Sequence, residues 1–327
     1  TVRQGSPDDA PSTGPSRTGI TAIWPHRNDL VRRPVAAGFF ALSGTGEMTG
    51  RSEIEALGRI CTPIVLTNTM GVGVGYDAVC RYLVEHDSGV GGDDGVLIPI
   101  VAECNDAYLH DARGHHLRVE HVFQALDDAT GGPVEEGAIG SGTGMQLFRF
   151  KGGIGTSSRV VSRAVGGWTV GVLTMTNFGV RHRLTVDGVL VGRHIPLEGS
   201  PQLADDGSGI VVIATDAPLD SRQLARLAKR ASLGLGRTGS FGADGSGELL
   251  IAFSTSYFPD TSSLVSEQRV IESHYIDSLF EAAVDATEES VLNALFMAQS
   301  TDGRYGRVLE AISLDTVGEI MGQYGRS

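Results

Sequence analysis

The sequence predicts an α+β fold in which sheets are layered against helices, and three observations carry that prediction. Short apolar runs recur at 34–42, 63–68, 95–102, 168–176, 209–215 and 249–254, each about the length of a buried strand. Between them lie helical segments: 72–86, 220–235 with Leu224, Leu227, Ala228, Ala231 and Leu235 three or four residues apart, and 287–300, opening on Thr287, Glu288 and Glu289. Glycine supplies 45 of 327 residues without any repeat, which marks many tight turns and close backbone approaches. Elements mixed in this way pack as sheets stacked between helices.

Residues 1–18, rich in Ser, Pro, Gly and Asp, read as an extended arm or mobile loop. The strands at 34–42 and 63–68 each begin on a proline, and helix 72–86 sits between glycine-rich turns. There is no internal repeat and no interdomain linker, so residues 1–327 read as one domain. The acidic loop 198–206 is the best place for a break in the chain.

A net charge of −13 argues against nucleic acid as a partner, because phosphate neutralisation needs clustered Lys and Arg. Cys61, Cys80 and Cys104 form no Cys-x-x-Cys pair, and their odd number points to a reducing, cytoplasmic setting. No apolar run reaches the ~18 residues of a membrane span, and no signal peptide is visible.

Three Gly-Ser-Gly triplets, centred on Ser141, Ser208 and Ser246, have a turn as their ordinary reading, and none completes the Gly-x-Ser-x-Gly elbow. Ser208 differs by standing at the start of a buried strand. There its hydroxyl could attack the carbonyl of Gly207, shift the acyl group from nitrogen to oxygen and, after ester hydrolysis, cut the chain. The freed α-amine of Ser208, with an ordinary pKa of roughly 7.7–8.0, would serve as general base beside its own hydroxyl.

Other motifs have simpler readings. Residues 140–144 (GSGTG) and 151–156 (KGGIGT) complete neither dinucleotide nor P-loop patterns and read as a turn or substrate-lining loop. Residues 115–121 (HHLRVEH) lack zinc-helix spacing and read as a polar helix face. Cys104 reads as a small buried residue. Glu103, directly after an apolar run, would suit a substrate ammonium if it faced a cleft. Asn177, at a strand end, caps a turn or supplies an amide donor to an oxyanion.

Together the motifs resemble the L-aminopeptidase/D-esterase (D-aminopeptidase A type) and β-aminopeptidase family of self-processing N-terminal-serine hydrolases. The resemblance is carried by residues 41–50 (ALSGTGEMTG), 67–73 (TNTMGVG), 142–145 (GTGM), 150–156 (FKGGIGT), 177–179 (NFG), 186–192 (VDGVLVG), 213–218 (IATDAP), 232–239 (SLGLGRTG) and 245–255 (GSGELLIAFST). It implies a four-layer α-β-β-α sandwich, like the N-terminal-nucleophile hydrolases but with different strand connectivity, often assembled as a homotetramer without metal or organic cofactor.

It also implies self-cleavage between Gly207 and Ser208, giving chains 1–207 and 208–327. Ser208 would be the nucleophile, Ser246 and Glu248 its orienting partners, Asn177 the oxyanion donor and Glu103 the holder of the substrate's amine. The substrate implied is a small peptide, amide or ester with a free amine.

Two departures stand out. The family's usual opening strand segment is missing before Thr1, so the chain is expected to lack its true start. No aromatic residue lies close to Glu103 before Tyr108, which bears on substrate preference. The competing readings are an acyltransferase of the ornithine acetyltransferase type, disfavoured because those relatives use threonine as nucleophile, and an inactive binding relative, against which Ser208, Ser246 and Glu248 together weigh.

Overall fold

Side chains alternate along each strand, and this period of two distributes them among three apolar cores that define the layers. The computed structural model describes residues 2–3, 14–195, 207–256, 258, 264–265 and 267–326. The strands that build it are, in chain order, β1 (Val2–Arg3), β2 (Gly19–Ile23), β3 (Val35–Gly44), β4 (Arg59–Ile60), β5 (Ile64–Asn68), β6 (Ile100–Cys104), β7 (Gln146–Leu147), β8 (Phe150–Lys151), β9 (Ile154–Val160), β10 (Thr169–Asn177), β11 (Ser208–Thr215) and β12 (Gly247–Ser254). The helices are α1 (Arg51–Leu57), α2 (Val72–His86), α3 (Val119–Asp128), α4 (Ser221–Arg237), α5 (Asp277–Phe296) and α6 (Leu314–Gln323).

One sheet has the order β1-β2-β5-β6 and the other β4-β3-β12-β11-β10-β9. Between them lies a core of Ile210, Val212, Leu249 and Ile251 from one sheet and Leu66, Ala102 and Cys104 from the other. Alternate residues Val211, Ile213, Leu250 and Ala252 point the opposite way, onto Leu224, Leu227 and Ala231 of α4 and Ala283 and Ala286 of α5. On the far side, Val65 and Val101 pack on Ala78 and Val79 of α2 and Val122 and Leu126 of α3. The result is the expected α-β-β-α sandwich, in which each fully buried aliphatic side chain contributes on the order of 1.5–3 kcal/mol. No described helix is long and apolar enough to cross a membrane.

Local chemistry explains the element ends. Helix α4 starts at a capping box, in which Gln223 N donates to Asp220 Oδ1 at 2.6 Å and Asp220 N to Gln223 Oε1 at 3.2 Å. Helices α4 and α5 cross closely at Gly234, where a Cβ would come within 2.6 Å of Thr287 Cβ.

Four expectations need correction. The helix expected over 287–300 spans Asp277–Phe296; Thr287 sits in its interior, donating to Ala283 O at 2.6 Å, while Glu288 and Glu289 pair with Arg237 and Arg159 rather than opening the helix. The strand expected over 95–102 is Ile100–Cys104, since Pro99 lacks a donor and Gly95 has φ 77; Glu103 therefore lies inside a strand, not after it. The arm expected over 1–18 is tied down at both described ends: Val2 and Arg3 pair with Ile20 and Gly19, and Ser16 and Thr18 are buried. Residues 115–118 precede the helix begun at Val119, and His121 Nδ1 accepts the Arg118 N–H at 3.1 Å to close that helix's first turn. The acidic loop 198–206 lies outside the described residues.

Strand direction decides where a site can form. β11 and β12 run parallel, so Ser208 and Gly247 lie side by side at their starts. β10 and β3 run against them, which brings the ends Asn177 and Gly44 to the same edge. β5 and β6 end there too, with Thr67 opposite Glu103, and the turn after β3 crosses between the sheets, pairing Met48 with Ala102. Six strand termini thus meet at one end of the sandwich.

Candidate active site

A cleft of about 460 Å³ opens at this end, lined by Thr45, Gly46, Thr69, Glu103, Asn105, Tyr108, Gln146, Asn177, Gly207, Ser208 and Gly245. Four of the residues singled out from sequence line it directly: Glu103, Asn177, Gly207 and Ser208. Ser246 and Glu248 lie just behind it, on either side of Gly247, the register partner of Ser208. A larger cavity of about 760 Å³ beside Trp168, Pro218 and Tyr275 contains none of them.

Ser208 is 5% exposed and directly opposite Asn177 on β10. The amide Nδ2 of Asn177 donates to Ser208 Oγ at 3.3 Å and to Asn105 O at 2.9 Å, and its Oδ1 accepts the Gln146 N–H at 3.2 Å. Both ends of the amide are therefore specified, and a flip would set donor against donor. Asn177 is a strand residue and caps no turn. The carbonyl of Gly207 accepts the N–H of Gly247 at 2.9 Å. A Cβ at Gly207 would meet Phe178 Cα at 2.9 Å, so the chain enters β11 through a gap that only glycine fits.

The Ser246 hydroxyl donates to Glu248 Oε1, and Oε2 is buried without a hydrogen-bond partner. Burial pushes the Glu248 carboxyl above its ordinary range, opposed by the bond from Ser246, which favours the charged form. Across the cleft, Glu103 Oε1 accepts the Glu47 N–H at 3.0 Å and Oε2 the Thr69 hydroxyl. A carboxylate has about four lone-pair sites, so this pair of bonds aims it and leaves capacity for a cationic donor. Gly46 lies against it: a Cβ there would sit 3.2 Å from Glu103 Oε1.

Cys104 is fully buried and donates to Met175 O at 3.8 Å. Burial and the neighbouring Glu103 hold it as a thiol, as its reading as a small buried residue anticipates. Among residues 140–144, Gly140–Gly142 form a buried 3₁₀ turn outside the cleft lining, tied to β2 by Ser141 Oγ bonded to Thr21 Oγ1 at 3.0 Å. Among the described residues, no group of three or more His, Cys, Asp and Glu side chains is placed to hold a metal.

Sequence reasoning gave no site role to Thr69, Gln146 or Gly247, and named Tyr108 only as the first aromatic after Glu103. Backbone donors such as the Gln146 and Gly247 N–H groups carry no side-chain signature, and Thr69 matters only because β5 and β6 lie side by side.

Close by, His110 is 1% exposed and its Nδ1 accepts the Arg17 N–H at 3.0 Å. Burial lowers its pKa from an ordinary 6.5 to about 4, with His116 reinforcing the shift. The unfolded chain thus takes up a proton below pH 6.5 that the folded protein refuses until about pH 4, so stability contributed by neutral His110 is present above 6.5 and lost on acidification through that window. Chemical denaturation at pH 6.5 and 4.5 is expected to show a loss of about 2 kcal/mol in the wild type beyond that in His110→Asn, whose Oδ1 can accept the same N–H. Equal losses in the two proteins would refute the assignment.

A strand-initial serine at the meeting edge of two stacked sheets, covered by helices on both outer faces, is the arrangement of an N-terminal-nucleophile-type hydrolase. The chain belongs to peptidase family S58, whose model matches residues 2–309. It is 40% identical over 329 residues to a β-peptidyl aminopeptidase of Sphingosinicella microcystinivorans, covering 96% of this chain and 82% of that protein.

Among solved structures it is similar to the L-aminopeptidase D-Ala-esterase/amidase of Ochrobactrum anthropi, described as a variant of the Ntn hydrolase fold (TM-score 0.92, 40% identity, 99% of this chain and 90% of that one). It is also similar to a Burkholderia β-aminopeptidase (TM-score 0.90, 38% identity, 96% and 88%). The chain is a hydrolase with the function of a serine aminopeptidase/amidase.

Proposed function

We propose that Ser208 is the nucleophile of a self-activating aminopeptidase, acting first on its own chain and then on peptides, amides or esters with a free amine. The observation that carries the reading is a pair of hydrogen bonds. Gly247 N–H holds the Gly207 carbonyl at 2.9 Å while Asn177 Nδ2 holds Ser208 Oγ at 3.3 Å. An attack by Oγ on that carbonyl would develop its oxyanion on a donor already in place.

In maturation the Oγ–C bond forms, the C–N bond to Ser208 breaks, and the hydroxyl proton passes to the departing nitrogen. Water then hydrolyses the ester, leaving the Gly207 carboxylate and a free α-amine on Ser208. Departure of Gly207 frees the Gly247 N–H, which with Asn177 Nδ2 forms a two-donor oxyanion site.

In turnover the α-amine takes the Oγ proton, Oγ attacks the substrate carbonyl, and the proton returns to the leaving amine. Water releases the acyl group. Ser246 and Glu248 bias the charge around the amine, and Glu103 holds the substrate ammonium across the cleft. The names of the relatives, β-peptidyl aminopeptidase and L-aminopeptidase D-Ala-esterase/amidase, support this substrate class. We further infer a homotetramer, from the family resemblance, and a reducing cytoplasm, from three cysteines of which none is in a disulfide.

Two measurements test the reading. Denaturing electrophoresis of matured protein is expected to resolve the 34.4 kDa chain into pieces of roughly 22 and 13 kDa. Release of p-nitroaniline from aminoacyl p-nitroanilides is expected in plain buffer. A strict need for an added acceptor amine would instead establish an acyltransferase.

A further inference from the structure

Lys151 lies outside the machinery described so far, yet it is fully buried at the base of the β7-β8 hairpin. Its Nζ donates to three backbone carbonyls, those of Gly142 at 3.0 Å, Met145 at 2.8 Å and Gly152 at 2.6 Å. All three protons of the ammonium are used. Removing it from water lowers its pKa from 10.5 to about 7, against the attraction of Asp106. A lysine retained under that penalty points to a demand for its donors.

The Met145 carbonyl belongs to the same peptide unit as the Gln146 N–H, which is the group that fixes Asn177 Oδ1. A continuous path therefore runs from Lys151 Nζ through one planar peptide to the Asn177 amide and on to Ser208 Oγ. Gly152 N–H also reaches Met145 O, at 3.2 Å, so the hairpin places this peptide coarsely and the lysine supplies the second, shorter donor.

The hairpin itself is held under strain. Phe148 and Arg149 form its two-residue turn with φ of 51° and 65°, a left-handed backbone that ordinarily calls for Asn or Gly. Such conformations cost on the order of 1–3 kcal/mol each and persist where the surroundings over-determine them. Here Arg181 clamps the turn by donating to Phe148 O at 3.0 Å and Arg149 O at 2.5 Å. The tip and the base of one short hairpin are each pinned by a cation, and its inner edge carries the N–H that Asn177 needs.

We propose that Lys151 is a positioning residue for catalysis, holding the Met145–Gln146 peptide so that its N–H fixes the Asn177 amide against Ser208. The proposal rests on the reading of Asn177 as the oxyanion donor.

The test is a double-mutant cycle of Lys151→Met and Asn177→Ala, with kcat expressed per cleaved chain as counted by denaturing electrophoresis. Lys151→Met is expected to lower kcat roughly 10- to 100-fold while KM for an aminoacyl p-nitroanilide stays within about twofold, since Glu103 is aimed separately by Glu47 and Thr69. In the Asn177→Ala background the same change is expected to cost less than about threefold further.

Losses that multiply, or a raised KM with unchanged kcat, overturn the positioning role. Wild-type kcat in Asn177→Ala alone overturns the reading of Asn177 instead. Should Lys151→Met fail to fold, Gln146→Pro deletes the N–H and leaves the lysine. It is expected to lower kcat in the same way and to be equally silent in the Asn177→Ala background; unchanged kcat in Gln146→Pro overturns the proposal.

Discussion

Ser208→Ala is expected to migrate as a single 34.4 kDa chain and to release no p-nitroaniline from aminoacyl anilides. On the proposed mechanism one substitution removes the nucleophile and, by blocking the cut, the free α-amine that would serve as base, so both halves of the chemistry disappear together. Loss of a serine nucleophile costs on the order of 10⁶-fold in kcat in enzymes where it has been dissected. The change removes one oxygen from a site that is 5% exposed, so the fold should survive, and circular dichroism should match the wild type.

Ser208→Cys is expected to keep cutting, because a thiol supports the same transfer of the acyl group from nitrogen. N-terminal sequencing of its smaller fragment should begin at residue 208. If Ser208→Ala is cut at the same bond, Ser208 is not the residue that opens the chain.

Glu103→Gln is expected to separate recognition from maturation. The carboxylate is aimed by Glu47 N–H and the Thr69 hydroxyl, and a glutamine oxygen can replace only one of those acceptors while the ammonium we propose it holds loses its counter-charge. Losing one partner of a desolvated charge pair costs roughly 2–5 kcal/mol, or about 30- to several-thousand-fold in kcat/KM for substrates with a free amine. The Gly207–Ser208 bond has no free amine beside it, so the variant should still cleave itself at close to the wild-type rate. N-acetylated amides, which carry no ammonium for Glu103 to hold, should lose far less. A Glu103→Gln protein that prefers free amines as strongly as the wild type would show that the ammonium is held elsewhere.

Much of the fold is legible in the amino-acid pattern alone. The strands at 34–42, 63–68, 168–176, 209–215 and 249–254 and the helices at 72–86 and 220–235 can be read there because buried strands and amphipathic helices leave their periodicity in the side chains. Corrections come where a local signal has two readings. Thr287 with Glu288 and Glu289 looks like a helix start, but small residues before it, Ala282, Ala283 and Ala286, pack against α4 and carry the helix ten residues earlier. Pro99 sits in an apolar run yet shortens the strand from within.

By itself the sequence determined the layered α+β class, the strand-initial position of Ser208 and the family, because these are properties of apolar pattern and of ordered motifs. The meeting of residues as distant as 103, 177, 208 and 248 was decided by tertiary structure alone, through strand direction: parallel β11 and β12 flanked by antiparallel β10 and β3 bring four strand ends to one edge, and β5 and β6 of the facing sheet end there too, with Glu103 on β6. The same holds for the donors that side chains do not announce, the N–H groups of Gly247 and Gln146. A backbone amide is chemically alike at nearly every position, and only the folded chain selects which two of them face Gly207 and Asn177.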